Sequence, residues 1–171
     1  MKKKMLLVVM LATLLTACTG ATPTPTPDEH AILKAYLEEA KALIDKKREA
    51  SDALAKQVDL PGIDDRSIEG RRAWQEVAVR QRPLLLEIQS QWEALNPPPM
   101  AQGYHSQMAL IIEKELERWL KIEMAPIGGS GDTFYELFAD MADELLWEIQ
   151  LIAEAATKFE TLWEIATEGQ E

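Results

Sequence analysis

Apolar side chains recur along most of this chain in alternating steps of four and three residues, the spacing that lines one face of an α helix. The first series runs Leu33, Leu37, Ala40, Ile44, Lys47, Ser51, Leu54 and Val58. Ahead of it stands Thr26-Pro27-Asp28-Glu29, which pairs a capping hydroxyl with a carboxylate three residues on and sets proline at the first helical position. Leu60-Pro61-Gly62 closes it. A second series, Trp74, Ala78, Gln81, Leu85, Ile88, Trp92 and Leu95, predicts a helix over residues 66 to 95. Its phase is kept through Pro83, so the proline predicts a kink in one helix and not a boundary between two.

Asn96-Pro97-Pro98-Pro99 then breaks the chain, and Ala101, His105, Met108, Ile112, Leu116, Trp119 and Ile122 predict a third helix over residues 99 to 125. Thr133-Phe134-Tyr135-Glu136 repeats the capping pattern. The seam of the fourth helix is read as Phe134, Phe138, Met141, Leu145, Ile149, Ile152, Ala156, Phe159, Trp163 and Ala166, reaching residue 167. No segment alternates at period two between turn signals, so no strand is expected. The predicted fold class is all-α, an antiparallel up-down-up-down four-helix bundle with its second helix kinked at Pro83, occupying residues 28 to 171. At 1.5 Å per residue, helices of this length make a bundle roughly 40 to 50 Å long. The loops at 59 to 65 and 126 to 132 would share the pole remote from the start of the first helix.

The residues before the bundle follow other rules. Lys2, Lys3 and Lys4 precede an apolar run from Met5 to Leu15, the layout of a secretory signal. Eleven helical residues span only about 17 Å, against about 30 Å for a bilayer core, too short for a stable membrane anchor. The run ends at Leu15-Thr16-Ala17-Cys18, which resembles the lipobox of bacterial lipoproteins. The resemblance is confined to this N-terminal stretch. It implies that residues 1 to 17 are a signal peptide, that the Cys18 thiol takes a diacylglyceryl group by thioether linkage, and that cleavage falls between Ala17 and Cys18. One acyl chain binds a membrane only marginally, whereas two or three, at about 0.8 kcal/mol per buried CH₂, hold a protein there. The expected location is therefore extracytoplasmic, with the chain lipid-anchored to the cell membrane. Residues 18 to 27 then form a Thr/Pro-rich stalk of roughly 25 Å in polyproline II geometry.

Cys18 is the only cysteine, so the exported domain forms no internal disulfide and its stability comes from its core. Loss of Lys2, Lys3 and Lys4 with the signal takes 18 bases to 15 against 29 acids, a net charge of −14. Such a surface repels nucleic acid and anionic headgroups, so no nucleic-acid partner is expected and membrane contact is assigned to the lipid on Cys18.

Familiar catalytic and metal-binding patterns are missing from the sequence. Bundles that hold paired metals use Glu-x-x-His on facing helices; this chain has two histidines, His30 and His105, and neither sits in such a pair. There is no Gly-x-Ser-x-Gly, phosphate loop or His-Glu-x-x-His. Gly128-Gly129-Ser130-Gly131 reads as a flexible connection between helices, and Met108 and Met141 as fillers on core seams. The expectation is a protein that is no enzyme and has no cofactor and no metal site.

Charge marks the fourth helix as unusual, with ten acids against the single base Lys158 between residues 132 and 168. Like charges one turn apart, such as Glu144 with Glu148, each cost an isolated helix about 0.2 to 0.5 kcal/mol, so a neighbour must offset them. Trp147 lies about 200° round the helix from Leu145 and falls among these acids. An aromatic anchor with a charged rim is a usual interface composition. Trp147, Asp140, Glu144 and Glu148 are accordingly the candidate partner-binding residues, and the partner they would suit is a basic envelope protein. The leading expectation is a non-catalytic, membrane-tethered bundle that binds another component of the cell envelope. The alternative is a bundle that binds a small ligand or metal in an interior pocket near His105.

Overall fold

In the computed structural model, residues 26–57, 67–127 and 131–168 are described. The signal, Cys18, most of the stalk, Val58, the loop at 59–65 and Gly128-Gly129-Ser130 lie outside the described residues. The described chain is helical and, among the described residues, contains no strand. Four helices pack against one another: α1 (Pro27–Gln57), α2 (Ile68–Ala94), α3 (Gln102–Met124) and α4 (Gly131–Thr167).

Local chemistry sets the helix ends. Glu29 N–H donates to Thr26 Oγ1 at 3.3 Å, and Thr26 N–H donates to Glu29 Oε2 at 2.6 Å, the reciprocal box read from the sequence. At the start of α2 the Ser67 hydroxyl accepts from Gly70 N–H at 2.9 Å. Helix α2 runs unbroken across Pro83, whose side chain is exposed. It stops at Leu95, which is extended, one residue before Asn96, the position that Pro97 drives from helical angles. A 3₁₀ turn at Pro99–Ala101 leads into α3. Helix α4 starts at Gly131, so Thr133 falls inside it and not at its cap.

Two apolar clusters fill the interior. The larger joins all four helices, with Leu33, Leu37, Ile88, Trp92, Ile112 and Leu162 among its buried members. The smaller consists of Ala78, Ile122, Ala125, Phe134 and Met141, flanked by Trp74, Trp119, Leu137 and Phe138. None of its described members comes from α1.

The reason lies in where α1 is held. Beyond Ile44, Lys46 pairs with Glu87 of α2 at 2.7 Å, Lys47 with Glu115 of α3 at 2.5 Å, and the Ser51 hydroxyl accepts from Gln81 of α2 at 2.6 Å. These polar contacts fasten the second half of α1 to α2 and α3.

Of the expected seams of α1 and α2, Leu33, Leu37, Ala40, Ala78, Gln81, Leu85, Ile88 and Trp92 are buried, while Ile44, Lys47, Ser51, Leu54, Trp74 and Leu95 are half-buried. Helix α3 buries a broader face than expected, adding Tyr104, Gln107, Ile111 and Glu115. The seam of α4 is corrected in its middle: Leu145, Ile149 and Ile152 are 43%, 53% and 48% exposed, while Glu148 is only 4% exposed. Met141, Glu148, Ala155 and Leu162, each seven residues apart, form the buried row.

Candidate functional site

The residues singled out on α4 divide between core and surface. Glu148 accepts two hydrogen bonds from the Arg118 guanidinium of α3, the longer at 3.3 Å. One turn earlier Glu144 meets Lys121 at 2.9 and 2.8 Å, and this ammonium holds its carboxyl below the usual carboxylate range. Two of the ten acids between residues 132 and 168 are thus offset by cations of α3. Glu148 is a packing residue, and its expected place on an open face is corrected by its burial and its partner. Trp147 is 44% exposed and Asp140 is exposed, as expected of surface positions.

His105 sits in an aromatic corner. Its ring stacks on Trp92 with centroids 5.3 Å apart and planes 17° apart, and its Nδ1 lies 3.2 Å from the Tyr36 hydroxyl. The Trp92 indole N–H donates to the His105 carbonyl at 3.1 Å. Burial pushes the imidazole pKa down, favouring the neutral ring, and it raises the pKa of the Tyr36 phenol and lifts that of Tyr104 to about 12. Tyr36, Trp92 and His105 thereby tie α1, α2 and α3 together just after the proline turn. Among the described residues no three His, Cys, Asp or Glu side chains gather as a metal site. Met108 and Met141 pack in the interior, and Met100 and Met124 are exposed.

A feature missed in the sequence is the opening between α1 and α4. A groove of about 260 Å³ has Lys41 and Ile44 on one wall and Ile152, Phe159 and Glu160 on the other, with Tyr104 of α3 also lining it. It adjoins a second groove of about 490 Å³ that shares Lys41, Phe159 and Glu160 and reaches Trp163 and Glu164. His105 lines neither. Ile149 and Leu145 continue the face of Ile152 three and seven residues earlier, so the apolar stripe extends beyond the groove. Trp147 points to the other flank. The available sequence signal was the surplus of apolar residues in Leu145-Leu146-Trp147 and Ile149 through Ile152, more than one buried face can take.

The described helices include none long and apolar enough to cross a membrane. Comparison of the chain with protein-family models, curated proteins and solved structures finds no match.

Proposed function

We propose that this protein is an extracytoplasmic lipoprotein, anchored through acyl chains on Cys18, whose helical domain has no catalytic role and binds another component of the cell envelope. The observation that carries the binding role is the row of half-exposed Leu145, Ile149 and Ile152 on α4. Large apolar side chains in a contiguous exposed row mark interaction surfaces, whereas single ones are ordinary. The signal at residues 1 to 17 and the stalk at 18 to 27 supply export and reach. The small-ligand alternative draws support from the groove beside α1 and no longer from His105, whose ring is occupied by Tyr36 and Trp92.

The bundle is read as up-down-up-down, with α2 bent at Pro83. What supports the first part is that partners rise on one helix as they fall on the next: Arg71 meets Ile127, Gln75 meets Ala125, and Trp92 meets His105. His30 lies 3.3 Å from the Glu168 carbonyl, which pairs the start of α1 with the end of α4. The stalk and the chain end then share the membrane-proximal pole.

Two measurements on the native protein test this reading. Mass spectrometry of the mature N-terminus should find an acylated Cys18, and Cys18→Ser should abolish membrane retention. Cross-linking in intact cells followed by affinity purification should recover a discrete envelope component with the wild-type chain. An unacylated N-terminus overturns the anchor, and recovery of no envelope component overturns the binding role.

A further inference from the structure

We propose that the groove between α1 and α4 docks a cationic amphipathic helix of a partner protein, its apolar face covering Leu145, Ile149 and Ile152 and its lysines or arginines facing Glu160 and Glu164. The inference rests on the partner-binding role and names its site and chemistry.

Shape comes first. From Leu145 to Trp163 the apolar stripe and adjoining grooves cover nineteen residues of α4, about 27 Å end to end at 1.5 Å per step. A helix of similar length fits such a furrow by seating side chains at i, i+3, i+4 and i+7.

Charge selects among possible occupants. On the α1 wall the cations are already answered, since Asp45 pairs with Lys41 at 2.5 Å and with Arg48 at 2.8 Å. On the α4 wall Glu160 and Glu164 form no ion pair among the described residues. The groove therefore has an apolar floor and an excess of negative charge at its rim. A fatty acid would bring its carboxylate to that rim, where the sole lining cation, Lys41, is engaged by Asp45. A second copy of the chain would bring the same carboxylates against themselves, under a net charge of −11 even before the signal's lysines are lost. A helix with a basic flank satisfies both the stripe and the rim.

The test uses the full chain in phosphatidylcholine nanodiscs, with empty discs as the blank. The probe is an 18-residue leucine-lysine peptide with leucines at helical spacing. Calorimetry should show saturable binding that weakens as salt shortens the Debye length from about 10 Å at 0.1 M to about 3 Å at 1 M. Leu145→Gln/Ile149→Gln/Ile152→Gln should lower affinity about tenfold or more, as loss of a central apolar contact does. Glu160→Gln/Glu164→Gln, confined to exposed positions, should weaken binding and flatten the salt dependence even if the triple variant proves unstable. Trp147→Ala, on the other flank, should bind as the wild type does.

Equal binding of a peptide with the same residues in scrambled order would overturn the proposal, because charge alone would then suffice. So would palmitate binding in the groove where the peptide does not, or self-association of the wild-type chain that the triple variant abolishes. If the envelope component cross-links at Trp147 and not at Ile149, the groove assignment fails while the partner-binding role stands. Failure to recover any envelope component, with peptide binding intact, removes the role and leaves the groove's affinity for basic helices.

Discussion

Removing Arg118 should destabilise the domain more than any surface substitution on α3. The Glu148 side chain is 5% exposed and Arg118 19%, so Arg118→Met strands a carboxylate where water reaches it poorly. Breaking a buried pair from one side costs about 3 to 5 kcal/mol, because the charge left behind is uncompensated. The reverse change, Glu148→Leu, strands the wetter partner and should cost less, about 2 to 3 kcal/mol. Arg118→Met/Glu148→Leu together should return to within about 1 kcal/mol of wild type, since an apolar pair of similar volume often replaces a buried ion pair without loss. Urea unfolding of the four proteins closes the cycle, with a coupling of about 2 kcal/mol or more expected. In a domain of this size each kcal/mol moves the melting temperature by about 2 to 4 °C, so Arg118→Met should melt roughly 6 to 20 °C lower. Were Glu148 an open docking residue, both single changes would stay within about 0.5 kcal/mol. That outcome, or simple additivity in the double variant, would refute the packing assigned to the middle of α4.

Other consequences can be checked on the same protein. Trp147→Ala should cost about 1 to 2 kcal/mol, less than the 3 to 5 kcal/mol of a fully buried tryptophan, because 44% of the residue is exposed; thermal unfolding measures it. Thr26→Ala removes the hydroxyl that accepts from Glu29 N–H and should lower stability by about 1 kcal/mol, visible as faster amide exchange in the first turn of α1. Burial holds the His105 pKa below its ordinary value of 6.5, so the unfolded chain takes up the proton first as pH falls. The stability tied to its neutral ring should thus be complete above pH 6.5 and decline on acidification toward the folded value. In His105→Gln that slope between pH 7 and 5 should be shallower, and an unchanged slope in urea titrations would refute the assignment.

Legibility from sequence followed the chemistry of each helix. In α2 the buried side chains are apolar except Arg71 and Gln81, and four-three counting recovers Ala78, Leu85, Ile88 and Trp92 because an apolar side chain excludes water whatever its neighbour. In α4 the same counting chose Leu145 and Ile149 over Glu148, since it ranks a carboxylate last for burial. What reverses the ranking is Arg118, thirty residues earlier and on another helix. Glu115 with Lys47, and Gln107 with the Leu151 carbonyl at 2.8 Å, are further buried polar groups whose partners lie on other helices. The burial of Glu148 was hidden for the same reason: Glu144 and Glu148 read as free surface charge, and their cations stand on α3. No local pattern reveals the opening between α1 and α4.

Whether the groove is a fixed feature or an accident of loose packing turns on polar contacts. Closing α1 onto α4 would cover Leu145, Ile149 and Ile152, each already about half exposed. Covering the rest of each gains about 1 kcal/mol, half of the 1.5 to 3 kcal/mol for a full side chain. The same movement would separate Lys47 from Glu115 and Ser51 from Gln81, which are 9% and 3% exposed. A buried polar group left without its partner costs about 1 to 3 kcal/mol, and more when charged. The two sums are comparable, and the charge on Glu115 tips them toward the open arrangement. Lys47→Leu/Glu115→Leu/Gln81→Leu removes that opposition while keeping the side chains large, so α1 should swing toward α4. Spin labels at Arg48 and Gln150, both solvent-facing, report the separation by electron-electron resonance. A shortened and narrowed distance distribution in the triple variant is expected, with weaker binding of the leucine-lysine peptide. An unchanged distance would show that helix geometry, and not these two polar contacts, holds the groove open.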